Sequence, residues 1–288
     1  MQLSRAIKMV MASTLFAFVS YGVSITFFPH IKFVAEMQSI LFSIYMWIPG
    51  VFALVYMKKE NIRCKVLQKP TKYVAFALAV PLALCALGIV ATLPFGTFSV
   101  QEALGAARAY HINFGSTSVD LLALFATLYV VAAVASVTIN FAVALGEELF
   151  WRGYLWEKLK SQGFWKASLY IGLLWGVWHA PIIMLFGMNY PEHRYVGVIW
   201  MVVGSVLLSP LMLYFRLQDK SLMAPTILHG MINAFLPLSV VFFPTSSELL
   251  RAPLGVAGFI ALLVVNVCLL LSRIYPRLVD KEAISKMI

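Results

Sequence analysis

Six polar side chains in the second half of a very apolar chain have the types and spacing to do chemistry together: Glu147, Glu148, Arg152, His179, His229 and Asn233. The glutamates stand in the run Leu145-Gly146-Glu147-Glu148-Leu149-Phe150-Trp151-Arg152. Adjacent residues on a helix point ~100° apart, so the two carboxylates are not expected to share one task. Arg152 follows Glu148 by four, the spacing of a same-face ion pair, which leaves Glu147 to face elsewhere. His179 lies in Trp175-Gly176-Val177-Trp178-His179-Ala180-Pro181. His229 and Asn233 are also four apart and project from one helix face. A carboxylate and an imidazole brought to one point can take a proton from water. An Asn amide and a His N–H aimed at one point can hold an oxyanion, each donor typically worth a few kcal/mol. Blander readings exist for each part. The glutamates could be a structural pair held by Arg152, and each histidine an interhelical hydrogen-bonding residue. His30, His111 and His193 fall in or beside loops and are expected to be solvated.

These residues need elements to carry them, and composition says what those are. Of 288 residues, 61% are hydrophobic and 12% charged, about half the ~25% charge of soluble domains. Such a chain requires an apolar solvent, which is lipid. The fold class is therefore all-α, a polytopic membrane bundle of about eight transmembrane helices forming one domain over residues 1–288. The predicted spans cover approximately 9–28, 37–57, 73–93, 120–149, 167–188, 195–215, 221–244 and 253–272. Pro225 falls in the first turn of the seventh, where proline is tolerated. Bends are expected at Pro49-Gly50 and Pro210. A short surface helix is expected around Gln101–Tyr110 in the longest loop, and no inverted repeat is visible.

Basic residues give the orientation. With the first residue inside, the inner segments hold two (Arg5, Lys8), six (Lys58, Lys59, Arg63, Lys65, Lys69, Lys72), four (Arg152, Lys158, Lys160, Lys166), two (Arg216, Lys220) and four (Arg273, Arg277, Lys281, Lys286). Only Lys32, Arg108, Arg194 and Arg251 remain for the outer side. The split places both termini in the cytoplasm and the protein in the cell membrane. The net charge of +10 is dispersed in short clusters between apolar runs. It reads as topology signal and anionic-lipid contact, with no nucleic-acid face. Arg5 and Lys8 precede an apolar run without a clear small-residue cleavage site, so the first segment is expected to be an anchor. Cys64, Cys85 and Cys268 show no CxxC pairing, and neither a disulfide framework nor a cysteine metal site is expected.

Depth favours convergence of the six. At ~1.5 Å per residue, His229 lies ~12 Å in from Ser221, Asn233 ~18 Å, and His179 ~20 Å in from Lys166. By the same rise Glu147 stands ~8 Å above Arg152. One cavity in the inner leaflet could hold them all.

Glu147-Glu148-x-x-x-Arg152, then an aromatic-x-x-x-His from Trp175 to His179, then His229-x-x-x-Asn233, in that order on three helices, resembles the CPBP family. These are the CAAX-protease and bacteriocin-processing membrane peptidases, which include the Ras-converting prenyl-protein endopeptidases. The resemblance covers roughly residues 120–240, a catalytic core within the larger bundle. One departure stands out: the family usually has Phe where this chain has Trp175, a change expected to alter the wall shape without touching proton chemistry.

The resemblance implies an intramembrane endopeptidase acting on a peptide or protein substrate, lipidated or not, near the cytoplasmic face. It implies that Glu147 and His179 activate a water, that His229 and Asn233 stabilise the oxyanion, and that Glu148 and Arg152 hold the site. No serine, cysteine or paired-Asp nucleophile motif accompanies them, which agrees with attack by water. Catalysis without a cofactor is the favoured expectation. A zinc version stays open, because two histidines and a glutamate form a known three-ligand set, although no His-Glu-x-x-His is present and Asn is a poor zinc ligand. Two other functions compete: a non-catalytic membrane protein in bacteriocin immunity or partner binding, and an ion or metal transporter using the Glu/His cluster. Against the transporter stand the missing repeats and the lack of acidic residues deep in other helices.

Overall fold

A computed structural model describes residues 2–27, 34–109, 117–272 and 274. His30, Lys32, His111, Arg273, Arg277, Lys281 and Lys286 lie outside the described residues. The described chain is a helical bundle without strands. In order it forms α1 (Gln2–Phe27), α2 (Val34–Lys59), α3 (Lys72–Thr92), α4 (Val100–Ala109), α5 (Ser118–Val137) and α6 (Ile139–Glu148). There follow α7 (Trp156–Leu159), α8 (Phe164–Trp178), α9 (Ala180–Phe186), α10 (Arg194–Asp219), α11 (Met223–Phe235) and α12 (Val256–Leu271). Seven helical stretches among the described residues are long and apolar enough to cross a membrane. The span expected at 253–272 corresponds to the shorter apolar helix α12, of 16 residues. Helices suit lipid because each satisfies its own backbone polar groups.

Most of the expected elements recur with shifted ends. Helix α4 is the short helix expected in the longest loop, and Pro225 sits in the first turn of α11. Both α2 and α10 run on as single helices through Pro49 and Pro210. The span expected at 120–149 is the exception, for it is two helices. Helix α5 begins on a capping box in which the Thr117 hydroxyl accepts from the Asp120 N–H and the Asp120 carboxylate accepts from the Thr117 N–H. It ends at Thr138, whose backbone leaves the helical region (φ −124°, ψ −102°) before α6 starts. The Thr138 hydroxyl donates back to the Val134 carbonyl at 2.8 Å. Such back-bonding, within the β-branched run Val137-Thr138-Ile139, bends or interrupts a helix. Beyond α6, Leu149–Leu155 is wound as a π-helix, a rare form often found at functional sites.

Two backbone-to-backbone approaches set the positions of the polar residues. On α8, Gly172 and Gly176 face α10, where a Cβ would come within 2.7 Å of the Val206 Cα or 2.5 Å of the Val202 Cα. Between α2 and α6, Gly50 and Gly146 meet so closely that a Cβ on Gly50 would lie 2.8 Å from the Gly146 Cα. Small residues at such crossings allow the close packing that drives helix association in lipid. Helix α11 packs against α3, α5, α6 and α10 and so occupies the middle of the bundle.

The ends of the bundle agree with the grouping of basic segments. At one end, Glu60 pairs with Arg5 and with Lys158 (2.5 Å) and accepts from the Tyr154 hydroxyl. The same end has Arg216 donating to the Arg152 carbonyl and Leu222 N–H to the Lys65 carbonyl. It also holds Asp219, which accepts from Thr71 and Ser221. At the opposite end, His193 and Glu192 backbone N–H groups donate to Glu248, and Arg251 donates to the carbonyls of Phe243 and Pro244. Cys64, Cys85 and Cys268 are free thiols.

Candidate active site

Helix α6 delivers the two glutamates and the π-helical turn delivers Arg152. All three are buried, with Glu148 and Arg152 fully inaccessible. The Arg152 Nη1 donates to the Glu148 Oε1 at 2.9 Å, realising the i, i+4 pair expected from the sequence. The same Oε1 accepts from the His229 Nδ1 at 2.7 Å. A carboxylate only accepts, so Nδ1 carries the proton, and Nε2 is a donor only when both ring nitrogens are protonated. That Nε2 lies 4.0 Å from the Glu147 Oε1. His229 therefore stands between the two carboxylates, bonded to one and facing the other.

Glu147 points away from its neighbour, as adjacent helical positions require. Its Oε2 accepts from two indoles: Trp175 Nε1 at 2.5 Å and Trp151 Nε1 at 3.3 Å. The expectation that Trp175 affects only wall shape is corrected here, since its N–H bonds the carboxylate proposed as the base. The Arg152 guanidinium also sits 4.3 Å over the Trp175 ring, a cation–π contact.

His179 occupies the break between α8 and α9. Pro181, in the first turn of α9, has no N–H to return to the Val177 carbonyl, and the His179 N–H bonds the Gly176 carbonyl rather than that of Trp175, its α-helical partner. The His179 Nδ1 bonds the Trp175 carbonyl at 2.8 Å. The proton thereby sits on Nδ1, and Nε2 is left with its lone pair. Asn233 lies one turn beyond His229 on α11, solvent-accessible where His229 is buried. The Asn140 side chain donates to the Gly230 carbonyl at 3.3 Å and ties α6 to α11 beside His229.

Glu147, His179, His229 and Asn233 line one cavity of about 360 Å³, while Glu148 and Arg152 stand behind its wall. The wall is mostly apolar and reaches well beyond the polar residues. It runs past Ser205, Leu208 and Ala261 to Met188, Asn189 and Ala252–Leu254, the end of the bundle opposite the basic segments. Tyr45 of α2 also lines it, stacked on Trp178 with ring centroids 4.5 Å apart and donating to the Trp178 carbonyl at 2.6 Å. Sequence reasoning missed Tyr45, because nothing distinguishes α2 from a plain span except the Pro49-Gly50 pair nearby. Trp151 and Trp175 were visible as aromatics beside the motif, but their N–H partners were not. Among the described residues, no group of three His, Cys, Asp or Glu side chains is disposed to hold a metal ion. As arranged, the two histidines and Glu147 do not form the three-ligand zinc set.

Comparison with known proteins bears out the resemblance read from the motifs. Residues 121–235 match the family described as type II CAAX prenyl endopeptidase Rce1-like. A CAAX prenyl protease 2 of Methanococcus maripaludis is 31% identical over 93 residues, which cover 30% of this chain and 34% of that relative. The match thus spans about a third of the curated relative's length.

Proposed function

From the match of residues 121–235 to type II CAAX prenyl endopeptidases, we propose that the protein is an intramembrane endopeptidase that hydrolyses a peptide bond with a water activated by Glu147 and His179. The observation that carries this reading is the convergence of Glu147, His179, His229 and Asn233, from three separate helical segments, on one cavity. In the proposed reaction, the water oxygen attacks the scissile carbonyl while its proton passes to Glu147, assisted by the His179 Nε2. The carbonyl oxygen becomes an oxyanion held by the Asn233 amide and by the His229 Nε2 in its doubly protonated form. Collapse of the tetrahedral intermediate breaks the C–N bond, and the proton taken from water goes to the leaving amine. Glu148 and Arg152 keep His229 and the Trp175 ring in place. The apolar cavity wall suits a substrate with aliphatic residues or a lipid chain beside the cleaved bond.

The test is cleavage, by the purified protein, of quenched-fluorescent peptides ending in Cys-aliphatic-aliphatic-X, with and without a prenyl thioether on the Cys. Asn233→Ala removes one oxyanion donor and is expected to lower kcat by ~10²–10³-fold with little change in substrate binding. His179→Ala is expected to remove turnover. Exhaustive chelation should leave activity intact. Stoichiometric zinc whose removal abolishes activity and whose return restores it would overturn the metal-free scheme. A protein that binds such peptides and never cuts them would point to the non-catalytic reading.

The proposed orientation puts the end bearing Glu60, Lys158 and Arg216 in the cytoplasm. Reporter fusions are expected to place residues 58–72, 158–166 and 216–220 inside and residues 100–115 outside. An outside signal at 58–72 would reverse the orientation.

A further inference from the structure

Trp175, read from the sequence as cavity wall alone, meets three of the six polar residues, Glu147, Arg152 and His229. It is 4% exposed, in the last turn of α8, and lines the cavity. Its indole N–H donates to the Glu147 Oε2 at 2.5 Å. One face of its ring carries the Arg152 guanidinium, and its ring meets that of His229 at 71° with centroids 5.4 Å apart. The Glu147 carboxylate is consequently asymmetric. Oε2 takes both indole donors, and Oε1, which has none, is the oxygen that stands 4.0 Å from the His229 Nε2. A buried carboxylate left without such a donor can rotate about its terminal torsion, which is broad and roughly two-fold. A general base must instead be held within hydrogen-bond reach of the proton it takes.

Resting on the peptidase reading, we infer that Trp175 is a positioning residue: its indole N–H locks the Glu147 carboxylate so that Oε1 is the oxygen presented to the attacking water. The wall of the cavity and the orientation of the base are then set by one side chain. Trp151, at 3.3 Å on the same oxygen and from the same helical run as Glu147, supports the lock and does not replace it. The approach of α8 to α10 through Gly172 and Gly176 fixes where the indole stands.

The experiment separates the N–H from the ring. Trp175→Phe keeps an aromatic face toward Arg152 and loses the donor, and kcat is expected to fall ~10–10²-fold with KM changed less than about twofold. Benzothienylalanine at 175, which has the shape of tryptophan with sulfur in place of N–H, is expected to stay as slow as Trp175→Phe. 5-Fluorotryptophan at 175, which keeps the N–H, is expected to restore wild-type kcat. A benzothienylalanine variant with wild-type kcat would overturn the positioning role. A second readout needs no activity. In ¹⁵N-tryptophan-labelled protein, the indole resonance that Trp175→Phe deletes is expected to lie downfield and to move upfield in Glu147→Gln. An indole resonance indifferent to Glu147→Gln would overturn the bond itself. Wild-type protein that cuts no peptide sinks the peptidase reading, whereas wild-type turnover insensitive to loss of the N–H sinks only the inference about Trp175.

Discussion

Glu147→Gln is expected to lower peptide turnover by at least ~10³-fold while leaving membrane expression and thermal stability close to wild type. The amide has the shape of the carboxylate, and its oxygen can still accept from the Trp175 and Trp151 indoles that now bond Oε2. What it lacks is an oxygen able to take a proton from water. Glu147→Asp should fall between, since shortening the side chain by one methylene draws the carboxylate away from the Trp175 N–H. A displacement of that order typically costs ~10²-fold when geometry governs the rate. Turnover by purified variants, set beside their unfolding temperatures, decides the matter. Undiminished turnover by Glu147→Gln would show that another group is the base.

Glu148→Gln should act on stability first, with a loss of about 3–5 kcal/mol. The Glu148 Oε1 receives both the Arg152 Nη1 and the His229 Nδ1 at zero side-chain exposure for Glu148 and Arg152. Removing the negative charge takes from the buried guanidinium the carboxylate it is bonded to, leaving it the Trp175 ring and the more distant Glu147 charge. Among the described residues, the Arg152 Nε and Nη2 and the Glu148 Oε2 have no hydrogen-bond partner, so the bond through Nη1 and Oε1 is the one that holds the pair. Adding Arg152→Met to Glu148→Gln is expected to recover much of the loss, because an apolar replacement of a buried ion pair is often neutral or better. Thermal unfolding of the detergent-solubilised variants measures both. A double variant no more stable than Glu148→Gln would mean that the stranded charge is not the source of the loss. Activity in the double variant should stay low, since His229 has lost the carboxylate that orients it.

The two glutamates show how far a local pattern reaches. The Glu148–Arg152 pair lies within one helical run, so spacing alone identified it, and the π-helical winding of Leu149–Leu155 did not disturb it. The same spacing argument sent Glu147 in another direction without saying what it would meet. Its partner Trp175 lies 28 residues away on a different helix, and no periodicity links the two. The break at Thr138 was equally hidden. Both sides of it are apolar, so hydropathy runs on from α5 into α6 while the backbone turns.

By itself the sequence determined the kind of solvent, the helical class, the positions of nearly all the membrane-crossing stretches, and which segments gather at the basic end. Those properties depend on sums over twenty or so residues, or on contacts within one turn, and neither needs the other helices. The types, spacing and motif order of six polar residues on three helices also named the candidate site residues, and the resemblance supplied the roles proposed for them. Only the tertiary structure decided what each polar atom faces: Glu147 Oε2 toward two indoles, His229 between two carboxylates, and a cavity that runs on to the far end of the bundle. Those outcomes turn on how closely neighbouring helices approach, set where Gly50 meets Gly146 and where Gly172 and Gly176 meet α10. A linear pattern carries no measure of the distance between chains that touch.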